Sequence, residues 1–153
     1  IGDPVVIDMG CVVDGYCSDL TRSFIIGEPT EQYAQVWNKV LEAQLACEKG
    51  IVAGMSGREA DAIARDIIYS AGYEGKFGHG LGHCVGLEIH ENPRASMMYQ
   101  APINANAALT VEPGIYLPGW GGVRLEDVII VGEGKSTVLT QAPKLMSIPV
   151  PSR

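Results

Sequence analysis

The sequence predicts an α+β domain in which a largely antiparallel sheet is covered by helices on one face. Three observations predict it. β-branched and apolar residues crowd positions 4–26 and again 108–134, two stretches of helical periodicity lie between them, and the order β-β-α-α-β-β-β lacks the strict alternation that builds a parallel sheet.

Each element follows from local signals. The run "PVVIDMGCVVDGYCSDLTRSFII" (4–26) is broken once by Asp14-Gly15, a dipeptide that accepts the positive φ angles of a two-residue hairpin turn, so two antiparallel strands are expected. From Glu31 to about Lys49, Tyr33, Val36, Trp37, Val40 and Leu41 recur at helical spacing, with Thr30 as N-cap and Gly50 as stop. A second helix begins with Ser56 and Glu59 as a capping box, carries Ala60, Ile63, Ala64, Ile67 and Ile68 on one face, and ends by Gly72. "NPRASMMYQAPINA" (92–105) reads as loop. "ALTVEPGIYLPGWGGVRLEDVIIVGEG" (108–134) reads as two or three strands joined through a turn at residues 118–122.

The chain of 153 residues is long enough for one domain, and 46% apolar with 19% charged residues is ordinary for a globular core. A net charge of −7 without any basic run argues against nucleic acid and anionic membranes as partners. Its apolar runs are strand-sized, far short of the roughly 20 residues of a membrane-spanning helix. The four cysteines form no C-x-x-C pair and read as reduced thiols; with no signal-peptide pattern, a cytoplasmic location is expected. The start at Ile1, directly before a strand-like run, is expected to be the interior of a longer polypeptide.

The hairpin turn fixes which carboxylates meet. Counting outward from Asp14-Gly15 sets Asp8 opposite Thr21 and Gly10 opposite Asp19, so Asp8 and Asp19 project from one face as diagonal neighbours. Two carboxylates on strands this apolar would repel and lose hydration unless one takes a proton or a divalent cation lies between them. A solvated sheet face is the alternative. Glu112 and Glu126 flank Gly119 symmetrically and would converge if their strands form a hairpin, although an odd, glycine-rich loop leaves that register open; glutamates at strand ends on the surface are the alternative.

All three histidines, His79, His83 and His90, fall within "HGLGHCVGLEIHENP" (79–93). Glycines at 78, 80, 82 and 86 make a zincin-like helix improbable there, so a loop or strand lining a cavity is expected.

The segments "IDMG" with Asp8, "GYCSDLTRSF" with Asp19, "HGLGHCVGLEIHENP" with His83, "TVEPGIY" with Glu112 and "GGVRLEDV" with Glu126 together resemble the M24 metallopeptidase family and its pita-bread fold. The resemblance runs from about residue 4 to residue 140. The short Glu112-to-Glu126 separation and the "HGLGH" and "GGVRLED" wording are similar to the Xaa-Pro dipeptidase and aminopeptidase P branch, ahead of methionine aminopeptidases. At "NAALTVEPG" the sequence departs from relatives, which commonly have a Gly-Met pair near Asn106 and Ala107; this bears on substrate preference rather than on a ligand. The resemblance implies that residues 1–153 are the C-terminal portion of one catalytic domain whose N-terminal half is absent.

It also implies the chemistry. Asp8, Asp19, His83, Glu112 and Glu126 would hold two divalent ions, Mn²⁺ or Co²⁺ foremost with Zn²⁺ also compatible, since four carboxylates and one imidazole form a hard donor set. Asp8 would serve one ion, Asp19 and Glu126 would bridge, and His83 and Glu112 would complete the other, with Glu112 as general base. His90 would face the scissile bond and His79 the proline side of a peptide with proline in second position. Arg124 would orient a ligand carboxylate, with a surface salt bridge as its alternative, while Tyr16 and Tyr116 are expected in core packing, with a supporting role beside the ligands as their alternative. A non-catalytic peptide- or protein-binding member of the same fold is the competing class, and a homodimer is left open.

Overall fold

The structure, a computed structural model, describes residues 2–150. Strands β1 (Val5–Met9) and β4 (Leu20–Ile26) pair antiparallel, and the connection between them carries the short strands β2 (Val12–Val13) and β3 (Tyr16–Cys17). The register is the one the turn dictates: Asp8 faces Thr21, Val12 faces Cys17 and Val13 faces Tyr16. Asp14 and Gly15 both take positive φ, 51° and 86°. The two uninterrupted strands expected for residues 4–26 are four, because the hairpin kinks at Gly10 and Ser18, where a Cβ on Gly10 would strike the Ser18 carbonyl.

Helix α1 (Glu31–Gly50) is capped by Thr30, whose side chain accepts the Tyr33 N–H at 3.2 Å. Its buried stripe of Tyr33, Val36, Trp37, Val40, Ala43 and Cys47 faces the core, and the Trp37 indole N–H donates to the Ser23 carbonyl at 2.8 Å, tying the helix to β4. Helix α2 (Gly57–Ser70) starts with the reciprocal Ser56–Glu59 capping box and packs against α1. One feature of α2 is not that of a simple apolar face: Asp61 and Arg65 are buried in it as an ion pair.

The remaining strands are β5 (Gly82–Cys84), β6 (Glu91–Ala95), β7 (Ala108–Val111), β8 (Gly114–Leu117), β9 (Gly121–Arg124), β10 (Asp127–Ile130), β11 (Thr137–Val138) and β12 (Ser147–Ile148). They form a five-stranded sheet β11-β10-β7-β5-β6, a β8-β9 ribbon and a three-stranded sheet β1-β4-β12. Among the described strands every pairing is antiparallel except that of β12 with β4. Residues 92–95, expected as loop, lie in β6 (Glu91–Ala95) because the nearby β5 supplies an antiparallel partner for their backbone.

Strands β7 to β10 make one long hairpin with a single register about Gly119: Gly114 faces Arg124 and Val111 faces Asp127. The ladder breaks where Pro113 has no N–H to offer, and Glu112 and Glu126 stand at that break. Leu109, Val111, Ile115, Val123, Leu125 and Ile129 from this hairpin share one core with the buried faces of both helices. Each such side chain contributes roughly 1.5–3 kcal/mol of burial.

Candidate metal centre

Three scaffolds deliver the acidic groups. The β1–β4 hairpin presents Asp8 and Asp19, the break in the β7–β10 hairpin presents Glu112 and Glu126, and β5 presents His83 between them. A Cβ on Gly82 would collide with the Thr110 carbonyl, so β5 can approach β7 this closely only with glycine there. This strand, rather than a helix, brings His83 to the carboxylates.

One ligand atom each from Asp19, His83 and Glu126 lies within 4.8 Å of the others. His83 Nε2 is 3.3 Å from Glu112 Oε1 and 3.7 Å from Asp19 Oδ2. Its Nδ1 stands 3.1 Å from the Cys84 carbonyl, which assigns a proton to Nδ1 and turns the Nε2 lone pair toward the carboxylates. Asp8 is set apart from this group: its carboxylate is engaged by Arg124 and is the most exposed of the four.

Threonines hold two of the carboxylates. Thr21 Oγ donates to Glu126 Oε2 at 2.6 Å, and Thr110 Oγ donates to Glu112 Oε1 at 3.2 Å while accepting the His83 N–H at 3.0 Å. Arg124 reaches Asp8, the Thr21 hydroxyl (3.2 Å) and the Tyr116 hydroxyl (3.1 Å), with Glu112 Oε2 3.9 Å from its Nε. The Tyr116 hydroxyl also lies 3.0 Å from His79 Nε2. Tyr116 is thus a polar link between Arg124 and His79 rather than simple core packing, and burial raises the pKa of its phenol. Tyr16, also expected in the core, is 63% exposed on the separate β2–β3 ribbon.

His90 stacks edge-on against His83 with ring centroids 4.3 Å apart. His90, Asp8, His83 and Glu112 line two adjoining cavities of about 390 and 300 Å³; His79 and Arg94 line the first, Asp19 and Glu126 the second. The loop carrying His79 is fixed from α2: Arg65 donates to the carbonyls of Phe77 and His79, both at 2.8 Å, and Asp61 accepts the Leu81 N–H at 3.0 Å. Sequence reasoning named neither Arg94, Thr110, Asp61 nor Arg65 as site residues. Thr110 had a signal, since it lies two residues from Glu112 on one strand face; Asp61 and Arg65 had only their i, i+4 spacing.

Electrostatics tests whether these residues fit a cation. Burial, followed by the charge of Glu112, pushes the Glu126 carboxyl up to about 8 despite the Thr21 hydrogen bond. Asp19 is raised as well, first by burial, with Asp8 and Glu112 adding to it against the lowering influence of His83. Burial alone would lower His83, but hydrogen bonds to Glu112 and Cys84 and the nearby carboxylates raise it overall. Such a cluster holds protons it would shed to a divalent ion, and its oxygen-rich donors with one imidazole suit Mn²⁺, Co²⁺ or Zn²⁺. The residues fit a metal.

Residues 1–133 match the family model described as metallopeptidase family M24. The chain belongs to this family. It is 43% identical over 143 residues to an M24 relative, the Xaa-Pro dipeptidase of Pyrococcus furiosus, covering 94% of this chain and 41% of that protein. Among solved structures, the Xaa-Pro dipeptidase from Bacillus anthracis superposes with a TM-score of 0.92 at 48% identity, covering 96% of this chain and 41% of that one. The X-Pro aminopeptidase from Thermotoga maritima gives 0.92 at 42% identity, covering 96% and 42%. The M24 chain described here therefore has the pita-bread fold and spans about two fifths of the length of these relatives. No helix among its described residues is long and apolar enough to cross a membrane.

Proposed function

We propose that this M24 chain carries the dinuclear metal centre of a peptidase that hydrolyses an Xaa-Pro bond. The observation that carries the reading is the convergence of Asp19, His83 and Glu126 within 4.8 Å, with Glu112 and Asp8 lining the same cavities. Asp8, Asp19, Glu112, Glu126 and His83 would hold the two ions, Mn²⁺ or Co²⁺ foremost. When bound, such ions supply an acidified water and a polarised scissile carbonyl. Glu112, 3.3 Å from His83 and held by Thr110, would take the proton of the attacking water and pass it to the leaving amine. His90 stands against His83 on the open side, where its ring can donate to the oxygen that gains charge.

His79, oriented by Tyr116 and by the Gly80 carbonyl 2.8 Å from its Nδ1, lines the far part of the larger cavity and would border the proline. Arg94, an exposed cation on the wall of this acidic cavity, would meet a substrate carboxylate, which favours short peptides. The names of the relatives, Xaa-Pro dipeptidase and X-Pro aminopeptidase, support the substrate class. The test is metal analysis together with hydrolysis of Xaa-Pro peptides in added Mn²⁺ or Co²⁺. Up to two ions per chain and activity abolished by Asp19→Ala or Glu126→Ala are expected; activity that survives both substitutions sinks the reading.

A further inference from the structure

Behind the acidic cluster, four charged side chains meet, two buried and two half-buried, and none lines its cavities. Arg22 and Asp127 are 9% and 1% exposed, and Lys144 and Glu48 complete the group. Arg22 follows Thr21 on β4 and so points to the opposite face of the strand. Its guanidinium donates to the Thr21 carbonyl (2.9 Å), the Glu126 carbonyl (2.6 Å), Asp127 Oδ1 (2.7 Å), the Ala142 carbonyl (2.7 Å) and the Pro143 carbonyl (3.1 Å). The other Asp127 oxygen takes Lys144 at 2.7 Å, and Lys144 reaches Glu48 of α1 at 2.8 Å.

Ala142, Pro143 and Lys144 belong to a strap that lies beyond the residues matched by the family model. The strap returns across the fold to pair β12 alongside β4, with the Ile25 N–H on the Met146 carbonyl at 3.2 Å and the Gly27 N–H on the Ile148 carbonyl at 2.9 Å. Buried ion pairs contribute little net stability against apolar replacements, so what they hold in register is the more informative question. Here they hold Glu126. Its carbonyl is bound by Arg22, and its N–H donates to the Thr21 carbonyl at 3.0 Å, an oxygen that Arg22 also grips. The guanidinium thereby locks β4, which begins one residue after Asp19, against the chain that presents Glu126.

We infer that Arg22 is the positioning residue for Glu126, and that the strap at residues 140–148 supports the metal centre through Arg22 and through Lys144 on Asp127. The inference rests on the metal-centre reading above. It is tested by Mn²⁺ titration calorimetry on the whole chain, comparing the parent with Arg22→Lys and Lys144→Met. Lysine keeps the charge but replaces a planar five-donor fork by a compact ammonium with three donors. Outer partners of this kind typically account for 10- to 100-fold in metal affinity, so a loss of about that size is expected for Arg22→Lys and a smaller one, roughly fivefold, for Lys144→Met.

Ile68→Val, a core change away from the network, controls for lost stability and should keep the parental affinity. A folded Arg22→Lys variant that binds Mn²⁺ within twofold of the parent overturns the inference. Should that variant not fold, parental affinity in Lys144→Met overturns it equally. A parent that binds no Mn²⁺ defeats the metal-centre reading instead. Hydrogen exchange at the Glu126 amide then decides the anchoring: faster exchange in either variant than in Ile68→Val supports it, and equal exchange rejects it.

Discussion

Glu126→Gln should stabilise the metal-free protein at neutral pH and reduce the further stabilisation that metal confers. Glu126 is 2% exposed and its carboxyl is held at about 8 instead of 4.5, first by burial and then by the neighbouring carboxylates. The folded state therefore binds this proton more tightly than the unfolded state. Its contribution to stability is complete below pH 4.5 and is lost as pH rises through 8. At about 1.4 kcal/mol per pH unit, the whole loss is on the order of 5 kcal/mol, of which about 3 kcal/mol has occurred by pH 7.

Glutamine is neutral throughout, can still accept from Thr21, and can donate to the carboxylates around it, so it escapes this loss. Urea denaturation with a chelator should show parent and variant alike near pH 4.5 and the variant ahead by about 3 kcal/mol at pH 7. With Mn²⁺ at 100 times its dissociation constant the parent gains about 2.7 kcal/mol per site, and the variant, lacking a ligand, gains less. A variant whose metal-free stability follows the same pH dependence as the parent's would refute the reasoning, as would equal stabilisation of both by Mn²⁺.

Three further outcomes are expected. Thr21→Val removes the hydroxyl that donates to Glu126 and accepts from Arg124, and should weaken Mn²⁺ binding by about tenfold in calorimetry while keeping the fold. Asp61→Asn leaves the buried Arg65 guanidinium without its counter-charge and should cost about 3–5 kcal/mol in urea denaturation, more than the double replacement Asp61→Leu/Arg65→Met, in which no buried charge remains. Arg94→Ala should raise KM for an Xaa-Pro dipeptide by about tenfold or more and leave kcat within a few-fold, because the lost ion pair serves binding before and during the reaction alike.

How much of the site was legible depends on how local its cause is. The meeting of Asp8 with Thr21 followed from Asp14-Gly15, since a two-residue turn sets the register of everything that zips outward from it. Glu112 and Glu126 were legible only in part: their symmetry about Gly119 is in the sequence, but their convergence needed β8–β9 and β7–β10 to keep one register across the interruption at Pro113. The kink at Gly10, strand β6 and the role of Tyr116 were not legible. Each depends on how the folded backbone brings partners together rather than on a local turn or periodicity signal: Ser18 across the hairpin for Gly10, β5 for β6, and Arg124 with His79 for Tyr116.

By itself the sequence determined the α+β class, both capped helices and the first hairpin's register, while its motifs pointed through a family resemblance to a candidate set of metal ligands. These depend on periodicity, turn chemistry and residue type, which act over a few neighbouring positions. Only the tertiary structure decided that Asp19, His83 and Glu126 form the tight group while Asp8 turns to Arg124. It alone showed that buried charges at Asp61–Arg65 and Arg22–Asp127 hold the loops and strands from behind. A charged residue in a sequence reads as surface until backbone carbonyls and counter-ions from remote segments surround it, and that surrounding exists only once the chain has folded.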